Sequence, residues 1–378
     1  MSRPISVTRS RRVPFFDYPA LFAEHERAYL EIFREVLHRG AYIMQRDLVE
    51  FEVNLANYCG VKFAFGVADG TSALIIALKL ADIGDGDEVI VPSHTFVATA
   101  AAVHHAGGIP VLCDCGPDHM MDVESARRLV NSRTRAVMPV QLNGRTCDMD
   151  EVGIFAKEYR LKIVEDSCQA LGAKFSGKHA GTFGVAGTFS FYPAKTLGCF
   201  GDGGAVIVND DKSAEIVRQL RDHGRGTDGK VHRFGHNARL DNIQAAILNF
   251  KLQRHEGYVA RRRKLADIYC CRLREIDSIL LPPAPGSEEK RFDVFQNFEI
   301  EAYERERLRE HLANRGIGTI LQWGGSMIHQ FDDLKLKSFA PYAEEISSRY
   351  LMLPMHHLLS DDDVHYICDE IEKFYGNS

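Results

Sequence analysis

The 378-residue sequence lacks most of the features that would tie it to a membrane, to nucleic acid or to a disulfide scaffold. No apolar run approaches the roughly 20 residues a membrane-spanning helix needs. Arg3, Arg9, Arg11 and Arg12 crowd the N-terminus, but no apolar segment follows them as it would in a secretory leader. The 46 Lys and Arg residues are outnumbered by 52 Asp and Glu, leaving a net charge of -6. Without a basic surface, nucleic acid is not an expected partner. The nine cysteines are an odd number, scattered, with no C-x-x-C spacing; the closest pairs are Cys113/Cys115 and Cys270/Cys271. That excludes a disulfide framework or a zinc ribbon and fits reduced thiols, so a cytoplasmic protein without a metal site is expected. Internal repeats and low-complexity tails are absent, and Trp323 is the single tryptophan.

What is present is an alternation of short apolar runs with helical patterns, which predicts an α/β fold. The runs are Phe63 to Val67, Glu88 to Pro92, Ile109 to Cys113, Arg135 to Gln141, Leu161 to Glu165, Gly187 to Phe191 and Ala205 to Val208. Stretches such as Val89-Ile90-Val91 lack polar alternation, as strands buried on both faces of a mostly parallel sheet do. The last two runs, joined by a Gly-rich link, are where the parallel pattern is expected to break. Thr71 to Ala81 reads as a buried helix and Met149 to Tyr159 as a surface one. A charged helix from about Gly257 to Glu275 reads as a connector, and Leu281 to Gly286, with three prolines, as the strongest break. Beyond it come a strand at Val294 to Ile300, a helix at Tyr303 to Asn314, and a last helix opened by a Ser360/Asp363 capping box. The length suggests two domains: residues 1–255 as an N-terminal arm and large domain, residues 256–378 as the connector helix and a smaller α/β domain.

Three places carry chemistry. Asp69-Gly70-Thr71-Ser72-Ala73 stands where a strand ends and a buried helix begins. Free N–H groups and the positive dipole end there suit a phosphate, although Thr71 or Ser72 could equally serve as a plain N-cap. Glu165-Asp166 lies at the end of an apolar strand, facing the crevice in which open α/β sheets bind ligands. A carboxylate there can pair with a pyridinium nitrogen, or simply cap a helix. Lys195 follows a β run within a Gly-rich, mostly uncharged stretch, where desolvation would lower its pKa and favour imine formation. Ser190, just before it, offers a further phosphate contact.

Together the motifs Gly70-Thr71-Ser72-Ala73-Leu74, Glu165-Asp166 with Gln169-Ala170, Ser190-Phe191 with Lys195, Gly201-Asp202-Gly203-Gly204-Ala205, and Asn237-x-Arg239-Leu240 with Gln244-Ala245-Ala246 resemble the DegT/DnrJ/StrS-type sugar aminotransferases from about Pro14 to Phe374. The resemblance implies the aspartate-aminotransferase-like fold, with a seven-stranded, mostly parallel sheet between helices, and pyridoxal 5'-phosphate (PLP) as cofactor. It implies Lys195 as the Schiff-base lysine, Asp166 on the pyridine nitrogen, Gln169 near the phenolic oxygen and Phe96 stacked on the ring. Gly70, Thr71, Ser72 and Ser190 would hold the phosphate, with Asn237 reaching in from the second subunit of a homodimer. Glutamate would be the amino donor and a nucleotide-diphosphate keto sugar the acceptor, in the making of amino sugars for a surface polysaccharide or a glycosylated natural product.

Arg239, whose planar fork suits a carboxylate or a phosphate, and Trp323 are candidates for the substrate. The basic, Gly-rich stretch His223 to Arg233 reads as a mobile loop over a diphosphate or as a plain solvated one. Two stretches depart from the family pattern. Gln322-Trp323-Gly324-Gly325 stands where many members carry His-Tyr-Pro, and Gln141-Leu142-Asn143-Gly144 where many read His-Leu-Tyr-Gly. Gly-Asp-Gly-Gly after the lysine leans towards amination at C3 of the sugar, with a 4-keto sugar as the alternative. A sugar dehydratase of the same fold would carry His at the lysine position. A non-catalytic regulator would not need the intact lysine, acid and phosphate cradle. A desulfurase-like enzyme would use a reactive Cys168 or Cys199.

Overall fold

A computed structural model describes residues 11–376; Arg3 and Arg9 lie outside them. Among the described residues fourteen strands follow in chain order: β1 (Phe63–Val67), β2 (Glu88–Pro92), β3 (Ile109–Cys113), β4 (Thr134–Val137), β5 (Lys162–Asp166), β6 (Lys174–Phe175), β7 (Lys178–His179), β8 (Ala186–Ser190), β9 (Gly204–Val208), β10 (Ile279–Leu280), β11 (Arg291–Phe292), β12 (Phe298–Ala302), β13 (Lys337–Ser338) and β14 (Tyr350–Leu353). The main sheet has the order β1-β9-β8-β5-β4-β2-β3-β13. Its seven long strands are the seven runs expected; the eighth, β13, is two residues contributed from the far end of the chain.

Only β9 is inverted in that sheet. It pairs antiparallel with both β8 and β1, while β5–β8, β4–β5, β2–β4, β2–β3 and β3–β13 are parallel. The break therefore falls at the Gly-rich link between the last two runs. The C-terminal ends of β1, β2, β5 and β8 share one edge, and the start of β9 joins them there.

Strand residues alternate between two cores because successive side chains point to opposite faces. Val89, Val91, Val206 and Val208 pack with helices Gly70–Leu80, Val97–His105 and Asp211–Arg221. Ala205 and Ile207 face helices Arg46–Cys59 and Asn242–Leu252, and Ile90 faces helix Met149–Tyr159. A separate core joins helix His255–Leu273 to β12, β14 and the last helix, Asp361–Gly376. Val13 packs in it too, bridged to Ile317. The expected capping box forms, Ser360 and Asp363 each bonding the other's backbone N–H. The expected strand at Val294 to Ile300 begins only at Phe298, since Phe295 takes a φ of 51° that no extended strand allows. The proline-rich stretch 281–286 is a loop within this second core, not a boundary.

Candidate active site

The shared edge of the main sheet opens into a cleft of about 750 Å³ that brings together Gly70, Thr71, Ser72, Phe96, Asp166, Gln169, Ser190, Lys195 and Trp323. Each is set by a strand end. Helix Gly70–Leu80 follows β1 directly, and its N-cap is Asp69, not Thr71 or Ser72. The Asp69 carboxylate accepts from the Ser72 backbone N–H at 2.7 Å and from its hydroxyl at 2.9 Å. Thr71 is thereby left free of capping duty. Gly70 is wedged against the end of β8: a Cβ there would come within 2.9 Å of Ser190 Cβ and 3.1 Å of Cys168 Sγ. On the other side Gly204 lies against Asp69, where a Cβ would sit 2.4 Å from its carbonyl oxygen. Two glycines thus let backbones close up around a helix start that can take a phosphate.

Asp166 ends β5 and is buried. Thr99 Oγ1 donates to its Oδ2 at 2.8 Å, and the Cys168 N–H donates to its Oδ1 at 3.2 Å. Its neighbour Glu165 points the other way, accepting from the Gly181 N–H and from Gln141 Nε2, both at 2.8 Å. Burial raises the pKa of Glu165 against those donors. Of the two strand-end carboxylates, one is therefore structural and the other faces the cleft. Gln169 Oε1 accepts from the Asn143 N–H at 2.7 Å, which leaves its amide nitrogen as a donor. Thr99 carries no motif that could have marked it in the sequence, and Asn143 stands out there only within the departing stretch Gln141 to Gly144.

Lys195 sits in the turn after β8, its own N–H donating to Tyr192 O at 2.8 Å. Among the described residues its Nζ makes no hydrogen bond or ion pair. Burial lowers its pKa, with Cys168 and Asp166 nearby pulling the other way. Such an amine gives up its proton more readily than a solvated lysine. The residues fit PLP: a cradle too tight for any Cβ, a carboxylate at the strand end, and a free, desolvated amine between them.

Phe96, half exposed, and Trp323 form one wall, with ring centroids 6.4 Å apart. Behind Trp323 the two stretches that depart from the family pattern meet: Gln322 Nε2 donates to Asn143 Oδ1 at 2.6 Å. Asn143 Nδ2 continues to Glu299 at 3.1 Å, and Glu299 accepts from His94 Nε2 at 3.0 Å and from His119. His119 reaches Glu301 at 3.1 Å with its other nitrogen, and Arg349 closes the chain on Glu301. Burial would lower the pKa of His119, but the two glutamates outweigh it and bring the imidazole up to about 10. Against its own burial, Glu299 is driven well below the usual range by His94 and His119. His94, His119 and Glu299 bring ligand-type atoms within 4.8 Å of one another, yet the carboxylate is already satisfied by the two imidazoles.

Two sequence candidates lie away from this chain's own cleft. Asn237 is exposed, and Arg239 is tied to Asp222 at 3.1 Å. Residues 223–233 form an exposed turn whose only buried member is Gly224, and Phe234 beyond it is fully exposed. Burial, followed by Asp166, raises the Cys168 thiol well above its ordinary pKa, and burial takes Cys199 up to about 12. Both are the reverse of what a thiolate nucleophile needs.

The fold and the cleft define a PLP-dependent aminotransferase. The profile of the DegT/DnrJ/EryC1/StrS aminotransferase family matches residues 24–372, and the chain belongs to that family. It is 40% identical over 314 residues, 82% of each chain, to the dTDP-3-amino-3,4,6-trideoxy-alpha-D-glucose transaminase of Streptomyces venezuelae. To a pleiotropic regulatory protein of Geobacillus stearothermophilus it is 35% identical, over 96% of this chain and 98% of that one. The solved structure of S. venezuelae DesV in complex with a ketimine intermediate superposes with a TM-score of 0.91 at 35% identity, covering 96% of this chain and 98% of that one.

Proposed function

We propose that the protein transfers an amino group from glutamate to a nucleotide-linked 3-keto sugar. One observation carries the reading: the unpartnered Lys195 amine stands in a single cleft with the strand-end Asp166 and the helix start at Gly70. The S. venezuelae relative, named for a 3-amino sugar, supports the acceptor class.

When bound, PLP supplies the electron sink. The N–H groups of Gly70 and Thr71, with the hydroxyls of Thr71 and Ser190, would take its phosphate. Asp166, fixed by Thr99 and the Cys168 N–H, holds a proton on the ring nitrogen. Gln169 offers its amide N–H to the phenolic oxygen, and Phe96 covers a ring face. With the cofactor bound, Lys195, buried and unpartnered, would be the base that takes the proton from the substrate carbon. Trp323 lines the sugar side of the cleft.

The working unit in this reading is a homodimer. Helix Glu26–His38 turns Leu30, Phe33 and Leu37 to solvent, and Tyr42, Ile43, Met44, Val49 and Val53 extend the apolar strip. A second copy covering it would account for the strip and for Asn237 and Arg239 lying outside their own cleft. The division into two domains falls near residue 255 in the same reading, with Val13 crossing to the smaller one.

Visible absorbance decides the central claim. The wild type should gain a band with PLP and lose it on adding glutamate, while Lys195→Ala should do neither. A band indifferent to glutamate would point to another donor. The regulatory reading, suggested by the name of the Geobacillus relative, requires that nucleotide-linked keto sugars also leave the glutamate-treated protein unchanged.

A further inference from the structure

The side chain of Gln296 grips the backbone on both sides of Lys195. Its Nε2 donates to Ala194 O at 2.9 Å, and its Oε1 accepts from the Thr196 N–H at 2.6 Å. A carboxamide bonded in this way replaces a strand neighbour: it fixes one residue's carbonyl and the N–H two residues on, and the residue between them is Lys195. Gln296 is buried, so neither bond competes with bulk water.

The grip is itself anchored. Gln296 belongs to the segment 293–297 that leads into β12, in the second core. Arg262, also buried, donates from one guanidinium nitrogen to Phe295 O at 3.1 Å, Gln296 O at 3.0 Å and Met355 O at 2.9 Å. It has no carboxylate partner among the described residues, and burial brings its pKa down to about 10. A guanidinium so placed is engaged in holding a backbone. On the opposite side the segment rests on Gly144, where a Cβ would lie 2.7 Å from Gln296 N. Asn297, the next residue, donates to Asn143 Oδ1 at 2.8 Å, and Asn143 in turn holds Gln169. One dipeptide of the second core therefore reaches the loop that carries the lysine and the support of the glutamine beside it.

We propose that Gln296 is a positioning residue for the Lys195 amine, seating it in the cleft only while the segment anchored by Arg262 is docked on the main sheet. The proposal rests on the reading of Lys195 as the reacting lysine. Nothing in Gln296 touches the reacting atoms; it acts through the loop.

The test compares the wild type with Gln296→Met, which keeps the length of the side chain and removes both hydrogen bonds. In cofactor-free protein, labelling of Lys195 by acetic anhydride is followed against pH by peptide mass spectrometry. The midpoint for Lys195 in the variant should rise towards that of a solvated lysine, as the amine leaves the buried place that lowers its pKa. With PLP and glutamate, kcat should fall about tenfold or more while KM stays within about twofold, the pattern of a misplaced reacting group. An unchanged midpoint with unchanged kcat would overturn the proposal. Equal losses in kcat and thermal stability with an unchanged midpoint would also overturn it, because they describe a purely structural role. Should the variant fail to fold, amide hydrogen exchange in the wild type answers instead: the Thr196 N–H must be protected, and rapid exchange there rules the grip out. Lys195→Ala run in parallel keeps the two ideas apart, since a visible band surviving in that variant defeats the reading of the lysine itself.

Discussion

A methyl group added at Gly70 would have nowhere to go, being closed in by Ser190 Cβ at 2.9 Å and Cys168 Sγ at 3.1 Å. Gly70→Ala is expected to cost about 1–3 kcal/mol through overpacking and to weaken PLP binding more than it weakens the fold; thermal melts with and without PLP would separate the two. Trp323 permits a different measurement. As the single tryptophan, placed on the same wall as Phe96, it should change its fluorescence when a sugar nucleotide enters. Trp323→Ala should raise KM for the acceptor while leaving the spectral response to glutamate intact. At this scale the sequence showed the lysine, the acid and the cradle, because each belongs to a spaced motif with a chemical reason. It was silent on Thr99 and Gln296, polar residues whose work is done across 67 and 100 residues in the chain, and it marked Asn143 only within a departing stretch, with no sign of its bond to Gln169 26 residues on. Asn237 and Arg239 were legible as motif residues, but the fold places both outside this chain's own cleft.

The elements were easiest to read where burial was complete. β2 and β3 have the bounds their apolar runs suggest, since each keeps an unbroken buried apolar middle, Val89 to Val91 in one and Val111 to Cys113 in the other. β4 ends at Val137, four residues before its run does, and the remainder turns to carry Gln141 onto Glu165. The start of helix Gly70–Leu80 was placed too late by taking a hydroxyl residue as the cap. Asp69 is the stronger acceptor, and it satisfies the Ser72 N–H itself. Asp69→Ala should lower stability by roughly 0.5–2 kcal/mol, measured by denaturant unfolding. If the same turn receives the phosphate, as proposed, the variant should also bind PLP less tightly at equal temperature offset from its melting point.

Across the whole molecule, the two cores are joined by charge as well as by packing. Glu299 and Glu301 on β12 receive His94 and His119 from the main-sheet side. His119 is raised to about 10 in the fold from a model-peptide value of 6.5. Its contribution is therefore complete below about pH 6.5 and is lost as the pH rises towards 10. Melting temperature should accordingly fall more steeply between pH 7 and 10 in the wild type than in His119→Gln. Glutamic acid replacing Leu30 and Phe33 should leave a monomer in sedimentation if a second copy covers that strip. Neither tie could be read beforehand, because a histidine in one segment and a glutamate 180 residues later share no pattern. The two residues of β13 bear on how the molecule can move. They add to the open edge of β3 by backbone pairing, so a segment from beyond β12 is stitched into the main sheet as its last rung. Opening of the cleft by a free swing of the smaller core would tear that stitch. Rotation about it would keep the two backbone pairs of β13 with Val111 and Leu112.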